Sequence, residues 1–458
     1  MFIFKLFHRL TIPLPLSILL LMALHLTAYT QSISLVRTSL VAKGWAKNSI
    51  NAVIFRRNSV VSHEDRQYVA FYNQFGRVVL AARRLDSDDW EIHETRYSGD
   101  ITDAHNSISI MVDGDGYLHM AWDHHNGPLR YCRSIKPGSI DLTGQLAMTG
   151  KKERRVTYPE FHRFEQGDLL FLYRDGESGR GDLVFNHYDV ASSTWSQPHA
   201  NLIDGEGRRN AYWQACIDRY GVVHLSWVWR ESWNVATNND LCYARSDDGG
   251  QTWLKSTGER YELPITRRSA EVAWPVPQRS GLINQTSMCA DSQGNPVIAT
   301  YWCPRDSSVP QYWVVYHDGS AWQKQQVSRR TSPFRLNGVG TKRIPISRPQ
   351  VFSAFNGTTD KFYMLFRDLE RYNRVSLASC DDLSARQWRI TDLTAVSVGQ
   401  WEPSYDTELW SKSGELHVFV QNMGQGDNER IENLDAQDVS ILEWRPDTGP
   451  ESYPDDSD

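Results

Sequence analysis

The sequence predicts an all-β protein that folds as a seven-bladed β-propeller, with a four-stranded antiparallel sheet in each blade. An apolar strand that follows a turn recurs seven times, at intervals of about 50 to 75 residues. Short strands and clusters of Gly, Pro, Asn and Asp fill the intervals, and long helical periodicity is absent. Two β-sandwich domains are the alternative, but the even spacing and the lack of a linker favour the propeller.

The seven strand copies alternate apolar residues with other residues, and all but the last end in an aromatic residue. They occupy residues 66–72, 116–122, 167–173, 221–227, 294–301, 360–366 and 414–420. Because the copies extend along nearly the whole chain, residues 31–446 are predicted to form one propeller domain.

The two ends of the 458-residue chain are predicted to lie outside the propeller. Residues 1–30 have a basic start, an apolar run and small residues near a cleavage point, which is the layout of a signal peptide. A membrane anchor is the alternative, but Pro13, Pro15 and His25 interrupt the apolar run. We therefore expect a secreted or periplasmic protein with an acidic tail at residues 447–458.

Charge and cysteine content exclude several classes of function. The formal net charge is −6 and no basic cluster is present, so nucleic acid is not an expected partner. The six cysteines are dispersed without a Cys-x-x-Cys pair, which argues against a zinc knuckle or a dense disulfide scaffold. One or two disulfides would be compatible with export. We expect a monomer without a membrane partner once the signal peptide is removed.

One segment, residues 246–253, carries the Ser-x-Asp-x-Gly-x-Thr-Trp pattern of an Asp-box. In this turn Asp248 is expected to accept hydrogen bonds from backbone N–H groups, and a glycine to adopt positive φ. Trp253 is expected to pack beneath the turn. The motif predicts a propeller hairpin and gives no information about catalysis.

The repeat separates the histidines into two groups. Three of them occupy equivalent positions in the strand copies and are predicted to be structural: His119, His224 and His417. His105, His124 and His125 do not recur, and they lie at the ends of two strands joined by a turn at residues 113–116. Antiparallel pairing returns both ends to one edge of the sheet. Two imidazoles at that edge predict proton transfer near neutral pH.

Three arginines directly follow, or nearly follow, the aromatic end of a strand copy: Arg174, Arg230 and Arg367. If the blades superpose, these side chains converge at one mouth of the propeller. Guanidinium groups bind carboxylates and sulfates through paired donors, so the pattern predicts an anionic ligand. Salt bridges to neighbouring acids are the alternative for each arginine taken singly.

Several segments resemble the BNR-repeat propeller proteins that include the ulvan lyases. The most specific are Asp-Ala-His105-Asn and Trp-Asp-His124-His125-Asn, accompanied by Trp-Val-Trp-Arg230-Glu and Trp401-Glu-Pro-Ser-Tyr-Asp. The resemblance extends from roughly residue 40 to residue 446. It implies the fold more strongly than the reaction, because the family also contains or neighbours propellers that act on rhamnose–glucuronate linkages by other chemistry.

The resemblance also implies roles for individual residues. It implies that His105 acts as base or acid, that His125 or His124 assists, that Tyr212 takes part in proton transfer and that Arg230 neutralises a uronate carboxylate. The remaining residues predicted to bind substrate are Asn106, His124, Arg174 and Arg367.

Eliminative cleavage of a uronate needs a cation for the carboxylate, a base for the α-proton and an acid for the leaving oxygen. The residues above supply all three, so no metal or organic cofactor is required. Asp103 and Asp123 are predicted to orient the imidazoles. Some members of the family hold a structural zinc. The possible ligands that remain here are scattered along the chain, namely His162, His224 and Cys242. Neither zinc nor calcium is therefore predicted.

The function predicted from the sequence is a secreted polysaccharide lyase that cleaves a uronate-containing, ulvan-like rhamnose/glucuronate glycan by β-elimination. A glycoside hydrolase that acts on rhamnose–uronate linkages with a histidine acid/base is the first alternative. A non-catalytic glycan-binding propeller is the second. A sialidase is disfavoured, because only one clean Asp-box is present.

Overall fold

Seven antiparallel sheets follow one another along the chain and form the seven blades of a β-propeller, as the repeat predicts. The structure is a computed structural model that describes residues 36–53 and 58–446. The predicted signal peptide at 1–30 and the predicted tail at 447–458 lie outside the described residues. Among the described residues, no helix has the length and apolar character needed to cross a membrane.

Strands are numbered in chain order over the described residues. They are β1 (Arg37–Gly44), β2 (Val60–His63), β3 (Arg66–Tyr72), β4 (Arg77–Arg84), β5 (Glu91–Ser98), β6 (Ile108–Val112), β7 (Leu118–Trp122), β8 (His125–Gly127), β9 (Tyr131–Arg133), β10 (Val156–Arg163), β11 (Leu169–Glu177), β12 (Arg180–Asp189), β13 (Thr194–Ser196), β14 (Asn210–Ile217), β15 (Val223–Arg230), β16 (Asn238–Ser246), β17 (Glu271–Trp274), β18 (Ser287–Ala290), β19 (Pro296–Trp302), β20 (Gln311–His317), β21 (Trp322–Gln326), β22 (Gln350–Phe355), β23 (Asp360–Asp368), β24 (Arg374–Cys380), β25 (Arg389–Asp392), β26 (Leu416–Gln421) and β27 (Gln437–Trp444).

Helical structure in the described residues is limited to short pieces. They are the α-helix α1 (Thr407–Ser413) and the 3-10 turns Ser49–Asn51, Val235–Thr237, Leu369–Arg371 and Leu383–Ala385.

The blades are the sheets β2–β5 (blade 1), β6, β7 and β9 (blade 2), β8 with β10–β13 (blade 3), β14–β17 (blade 4), β18–β21 (blade 5), β22–β25 (blade 6), and β26, β27 and β1 (blade 7). Four of these sheets have the predicted four strands. Blade 3 has a fifth because β8 leaves blade 2 and pairs with β10.

The seven strand copies found in the sequence correspond to β3, β7, β11, β15, β19, β23 and β26. Their residues are mostly buried because side chains on both faces of a blade pack against neighbouring blades. The hydrophobic core is accordingly distributed between the blades as four clusters rather than concentrated in one centre.

Pairing of the first described strand with the last closes the ring. β1 runs antiparallel to β27 from the pair Arg37↔Glu443 to the pair Gly44↔Gln437. Blade 1 and blade 7 are also joined by a buried ion pair, in which Arg83 Nη2 lies 2.7 Å from Glu443 Oε1. Closure of this kind leaves short, protected sheet edges.

Two of the three recurring histidines make the same pair of contacts in different blades. His119 Nε2 lies 3.0 Å from Asp113 Oδ2, and its Nδ1 lies 2.7 Å from the Tyr131 hydroxyl. His224 has the same distances to an Asp and a Tyr, Asp218 and Tyr243. The third, His417, contacts Gln67 instead. All three are buried away from the candidate site described below and serve the scaffold.

The Asp-box has the expected geometry. Asp248 Oδ1 accepts a hydrogen bond from Thr252 N (2.8 Å), and Ser246 Oγ accepts one from Gly250 N (2.8 Å). Gly250 has φ +94°, and Trp253 is 1% exposed. All six cysteines are free, so the disulfides considered above do not form.

Trp253→Ala is expected to lower the free energy of unfolding by about 3 to 5 kcal/mol, because it removes a fully buried indole. The measurement is denaturant unfolding followed by circular dichroism. Trp233, which is 59% exposed, provides the control: Trp233→Ala is expected to leave stability nearly unchanged. Equal losses in the two variants would contradict the packing role of the Asp-box tryptophan.

Candidate active site

A cavity of about 240 Å³ collects most of the predicted catalytic side chains. It lies on the face that carries the connections between blades and the loops after each second strand, because antiparallel strands return these segments to the same end. His105, His125, Tyr212 and Arg230 all line it, and Arg367 forms part of its wall. The structure thus brings together side chains that are 262 positions apart at the extremes, from residue 105 to residue 367.

The two imidazoles at the cavity are held by one carboxylate. His105 Nδ1 lies 2.7 Å from Asp103 Oδ1, and His125 Nδ1 lies 2.5 Å from Asp103 Oδ2. The rings stack at a centroid distance of 4.1 Å and an interplanar angle of 17°. Asp103 therefore has the orienting role that the sequence predicted for it.

His125 reaches the cavity because its strand leaves blade 2. In β8 it pairs with Thr157 of β10, and Asn126 N donates a hydrogen bond to Thr157 Oγ1 (2.8 Å). Asp123 and Asn126 both have positive φ, 61° and 58°, so the chain changes direction sharply around the histidine pair. The change of blade positions His125 between blades 2 and 3.

A second carboxylate, Glu429, was not predicted and also contacts His105. Its Oε1 lies 3.1 Å from His105 Nδ1, and its Oε2 accepts a hydrogen bond from Ala104 N (3.1 Å). Burial disfavours the charged imidazole, but hydrogen bonds to Asp103 and Glu429 outweigh it and raise the pKa of His105 to about 9. His105 is therefore protonated at neutral pH.

His125 differs from its stacked neighbour. Burial lowers its pKa, and the nearby charge of His105 lowers it further, against the opposite effect of Asp103. At neutral pH the pair therefore consists of one imidazolium, His105, and one neutral imidazole, His125.

Tyr212 is buried between two guanidinium groups. Its hydroxyl lies 3.0 Å from Arg230 Nη1 and 3.4 Å from Arg174 Nη1, and Ser178 Oγ lies 3.2 Å away. Burial alone would raise the pKa of this phenol, but Arg230 and Arg174 reverse the shift and lower it to about 7. The two guanidinium groups therefore favour the phenolate form of Tyr212.

Tyr158 is a second residue that was not singled out from the sequence. Its ring lies 5.9 Å from that of His105 and 6.0 Å from that of Tyr212, between centroids, and Arg174 lies 5.0 Å from its centroid. It has φ 59° where the pairing of β10 with β11 shifts register. The signal available in the sequence was the following Pro159, which cannot donate to a ladder.

Arg174, predicted to bind substrate, does not line the cavity: it is 2% exposed and donates to the carbonyl of Gly176 (3.0 Å) and to Thr157 Oγ1 (3.1 Å).

Two further residues predicted to bind substrate also do not reach the cavity. His124 has no exposed surface, and its Nε2 accepts a hydrogen bond from Arg130 N (2.7 Å). Burial lowers its pKa to about 3, so it is neutral. Asn106 is 6% exposed and donates to the carbonyl of Asp100 (3.0 Å). Both side chains are used in holding the loops around the histidine pair.

Two further predictions need correction. Arg367 is 1% exposed, and its guanidinium donates to the carbonyls of Ile344 (3.0 Å) and Trp401 (3.0 Å), so it holds the cavity wall. Asp123 contacts neither His105 nor His125. It accepts a hydrogen bond from Asp100 N (2.9 Å) and pairs with Arg130 (3.0 Å).

The carboxylates that line the cavity have cationic partners. Glu402 forms a buried pair with Arg348 at 2.6 Å, and Glu429 lies against His105. By contrast, no carboxylate lies within salt-bridge distance of Arg174 or Arg230 in the part of the chain that the structure describes. Both guanidinium groups are therefore available to the Tyr212 phenolate, and Arg230, which lines the cavity, is also available to an anionic ligand.

Asp103, His105 and His125 place ligand atoms within 4.8 Å of one another. Because both imidazoles use Nδ1 to contact Asp103, the arrangement matches an acid–base group, and we do not identify these residues as metal ligands. The three side chains considered for zinc do not gather into such a group within residues 36–53 and 58–446: His162, His224 and Cys242.

Comparison with known proteins gives a family match and several similar lyases. Residues 66–330 match the family described as BNR repeat-containing family member. An ulvan lyase of Nonlabens ulvanivorans is 21% identical over 324 residues, which are 61% of this chain and 68% of that protein. The long isoform of an Alteromonas sp ulvan lyase is 26% identical over 234 residues, 40% of this chain and 23% of that protein. The chain therefore spans about a quarter of the long isoform.

Two solved structures share the fold along most of the chain. The polysaccharide lyase Uly1 has a TM-score of 0.64 at 15% identity, covering 90% of this chain and 100% of that one. A PL25 ulvan lyase bound to -[GlcA(1-4)Rha3S]- has a TM-score of 0.63 at 14% identity, covering 88% and 95%. At these identities the likeness shows a common propeller fold.

Titration of the protein is expected to show one tyrosine ionising near pH 7, because Arg230 and Arg174 lower the pKa of Tyr212 to about that value. Below this pH the phenol is neutral, and above it the phenolate forms. Ultraviolet difference absorbance of phenolate measures the step. Tyr212→Phe should abolish it, whereas Tyr220→Phe, which changes an exposed tyrosine, should leave it in place. A step that survives in Tyr212→Phe would contradict the assignment.

Proposed function

The chain belongs to the BNR repeat-containing family, and from that premise we propose that it is a polysaccharide lyase that cleaves a uronate-containing glycan by β-elimination. The observation that carries the proposal is the placement of opposite charges at one cavity: His105 contacts the carboxylates of Asp103 and Glu429, and Tyr212 contacts the guanidinium groups of Arg230 and Arg174. These contacts raise the pKa of His105 and lower that of Tyr212. Titratable groups whose pKa values are displaced in this way are typical of acid–base sites. The similar ulvan lyases support an acidic, ulvan-like rhamnose/glucuronate polysaccharide as substrate.

Arg230 binds the uronate carboxylate in this proposal, and the buried Arg174 supports the Tyr212 phenolate from outside the cavity lining. With Tyr212 ionised, two guanidinium groups face one phenolate, which leaves one positive charge for the substrate. Hydrogen bonds from guanidinium to carboxylate withdraw charge from the carboxylate and so lower the barrier to removing the proton at the adjacent carbon. Arg230 is the more accessible of the two, since it lines the cavity whereas Arg174 is 2% exposed.

Tyr212 is the base and His105 is the acid. A phenolate with a pKa near the working pH accepts the α-proton without requiring a strongly basic group. The imidazolium of His105, held through Nδ1 by Asp103 and Glu429, donates its Nε2 proton to the leaving glycosidic oxygen. The neutral imidazole of His125 stacks beside it and accepts a hydrogen bond from the substrate. No metal or organic cofactor is needed for these steps.

The charge state of the cavity supports elimination over hydrolysis. A glycoside hydrolase commonly uses two carboxyl groups about 5 to 9.5 Å apart, one acidic and one ionised. Here the carboxylates Glu402 and Glu429 are both engaged with cations, and the pKa of Glu429 is lowered against the effect of burial by its contact with His105. A cavity used only for binding would not require the displaced pKa values. The predicted signal peptide at residues 1–30 supports action outside the cytoplasm.

His105→Gln is expected to lower kcat on ulvan by about 10²- to 10⁴-fold, because it removes the general acid. The measurement is the absorbance of the unsaturated uronate formed by elimination. His93→Gln changes a histidine on the outer strand β5 and should leave kcat unchanged. Mass spectrometry of the products separates the reaction types, since hydrolysis adds water and elimination does not. Saturated products with water added would refute elimination while keeping a glycan-cleaving enzyme.

The pH dependence of kcat/KM is expected to be bell-shaped, with a maximum between about pH 7 and pH 9. The base must be ionised, so activity rises as pH passes the Tyr212 pKa of about 7. The acid must be protonated, so activity falls as pH passes the His105 pKa of about 9. Initial rates at low substrate concentration measure both limbs. A profile that keeps rising above pH 9 would show that His105 is not the acid.

A further inference from the structure

A strap formed by residues 331–345 runs between β21 and β22 and covers part of the cavity. On one side Gly338 N donates a hydrogen bond to Asn234 Oδ1 of the loop after β15 (2.9 Å). On the other side Asn428 N, in the loop after β26, donates to the carbonyl of Thr341 (3.0 Å). The strap therefore connects blade 4 to blade 7 across the mouth of the cavity.

Glu429 is the residue where the strap meets the histidine pair. Its Oε1 accepts a hydrogen bond from Thr341 N and also lies 3.1 Å from His105 Nδ1, while its Oε2 accepts from Ala104 N. Asn428 and Glu429 have φ 58° and 62°, in the left-handed region that is unfavourable for most non-glycine residues. This loop shape persists because its contacts hold it.

We propose that Glu429 is a positioning residue that couples closure of the strap to the proton on His105. When the strap is closed, the Thr341 N–H holds the Glu429 carboxylate against the imidazole, and the imidazolium is stabilised. When His105 gives its proton to the leaving oxygen, the N–H bond breaks and an O–H bond forms. The C–O bond of the leaving oxygen breaks in the same step, and the α-proton passes to Tyr212. His105 is then neutral and no longer attracts the carboxylates of Asp103 and Glu429 as a cation. The contact of Glu429 with the strap weakens as a result. Tyr212 then releases the α-proton to water and His105 takes one proton from water, which restores the starting state.

The groups around His105 show why Glu429 has this effect. Asp103 belongs to the same loop and divides its two oxygens between His105 and His125. His125, from β8, stacks at 4.1 Å and disfavours a second positive charge. Tyr158, from β10, lies 5.9 Å away as a phenol whose pKa burial raises. Glu429 contributes a second anionic group that contacts His105 and that also contacts the strap.

The coupling works in both directions, because two linked equilibria must affect each other by the same factor. A closed strap favours protonated His105, and protonated His105 favours a closed strap. The role of this coupling in catalysis rests on the proposed function: during turnover, donation of the His105 proton would loosen the strap and release product. Its physical content, a link between one pKa and one hydrogen bond, can be measured without substrate.

The test is an NMR titration of the His105 imidazole in the full chain, assigned by its disappearance in His105→Gln. Glu429→Gln keeps an acceptor for Thr341 N but removes the charge, so the pKa of His105 should fall by about one unit or more. Glu370→Gln is the matched control. Glu370 also accepts strap hydrogen bonds, from Thr331 N (3.0 Å) and Ser332 N (2.6 Å), but it does not contact His105. In the Glu370→Gln variant, the pKa of His105 should equal that of the wild type.

The second measurement is hydrogen exchange of the Thr341 amide at one fixed pH. In His105→Gln, whose side chain carries no charge, exchange should be about tenfold faster than in the wild type, the value of one charge-assisted hydrogen bond. His93→Gln should leave it unchanged. If Glu429→Gln does not fold, Glu429→Asp retracts the carboxylate while keeping its charge and should lower the His105 pKa partially.

An unchanged His105 pKa in Glu429→Gln, or unchanged Thr341 exchange in His105→Gln, would overturn the coupling. Neither result depends on catalysis. A protein that shows both effects but releases no unsaturated uronate would refute the proposed reaction and leave the coupling in place. A protein that releases unsaturated uronate but shows neither effect would refute the coupling and leave the proposed reaction in place.

Discussion

The Asp103 carboxylate between two imidazoles is the interaction on which the candidate site depends. Stacked rings with centroids 4.1 Å apart would repel each other if both were charged. One carboxylate that contacts both Nδ1 atoms fixes both rings at once. Because Glu429 contacts only one of them, the proton is assigned to His105 and His125 stays neutral.

Neighbouring charges also shift the pKa of Tyr212, but here the charges are positive and the pKa is lowered. Burial would raise the pKa of a phenol, yet two guanidinium groups without carboxylate partners among the described residues lower it to about 7. The cavity therefore has an anionic side around His105 and a cationic side around Tyr212, with Tyr158 between them. A uronate would place its carboxylate on the cationic side and its leaving oxygen on the anionic side, where the imidazolium lies. This charge arrangement would orient an acidic sugar for the elimination proposed above.

Most of the fold could be predicted from the sequence because a period-2 pattern repeated seven times fixes both the strands and their neighbours. His105 and His125 could be selected because they do not recur, and Arg230 because it follows a recurring strand. Glu429 could not be selected, since its contact with His105 joins loops 324 positions apart, a separation that no local pattern reports. Tyr158 was hidden by the register shift in β10.

The adjacent histidines show the limit of pattern reading most sharply. His124 and His125 are adjacent in sequence, but successive residues of an extended chain point to opposite sides, so a change of one position decides which ring is buried. His124 is sealed and neutral, whereas His125 enters the cavity because β8 pairs with the next blade. The choice was set by tertiary pairing and not by residue type.

Histidines of the scaffold and of the site differ in how many anions surround them. His119 has one carboxylate and one phenol as partners, and burial lowers its pKa. His105 is also buried but has two carboxylates, and its pKa is raised. In the propeller core one neutral imidazole completes a hydrogen-bond relay between strands and needs no charge. At the cavity, the additional carboxylate of Glu429 comes from a loop of another blade. The second carboxylate is what distinguishes His105 from the scaffold histidine His119. Glu429 can supply it only because closure of the ring brings its loop close to His105.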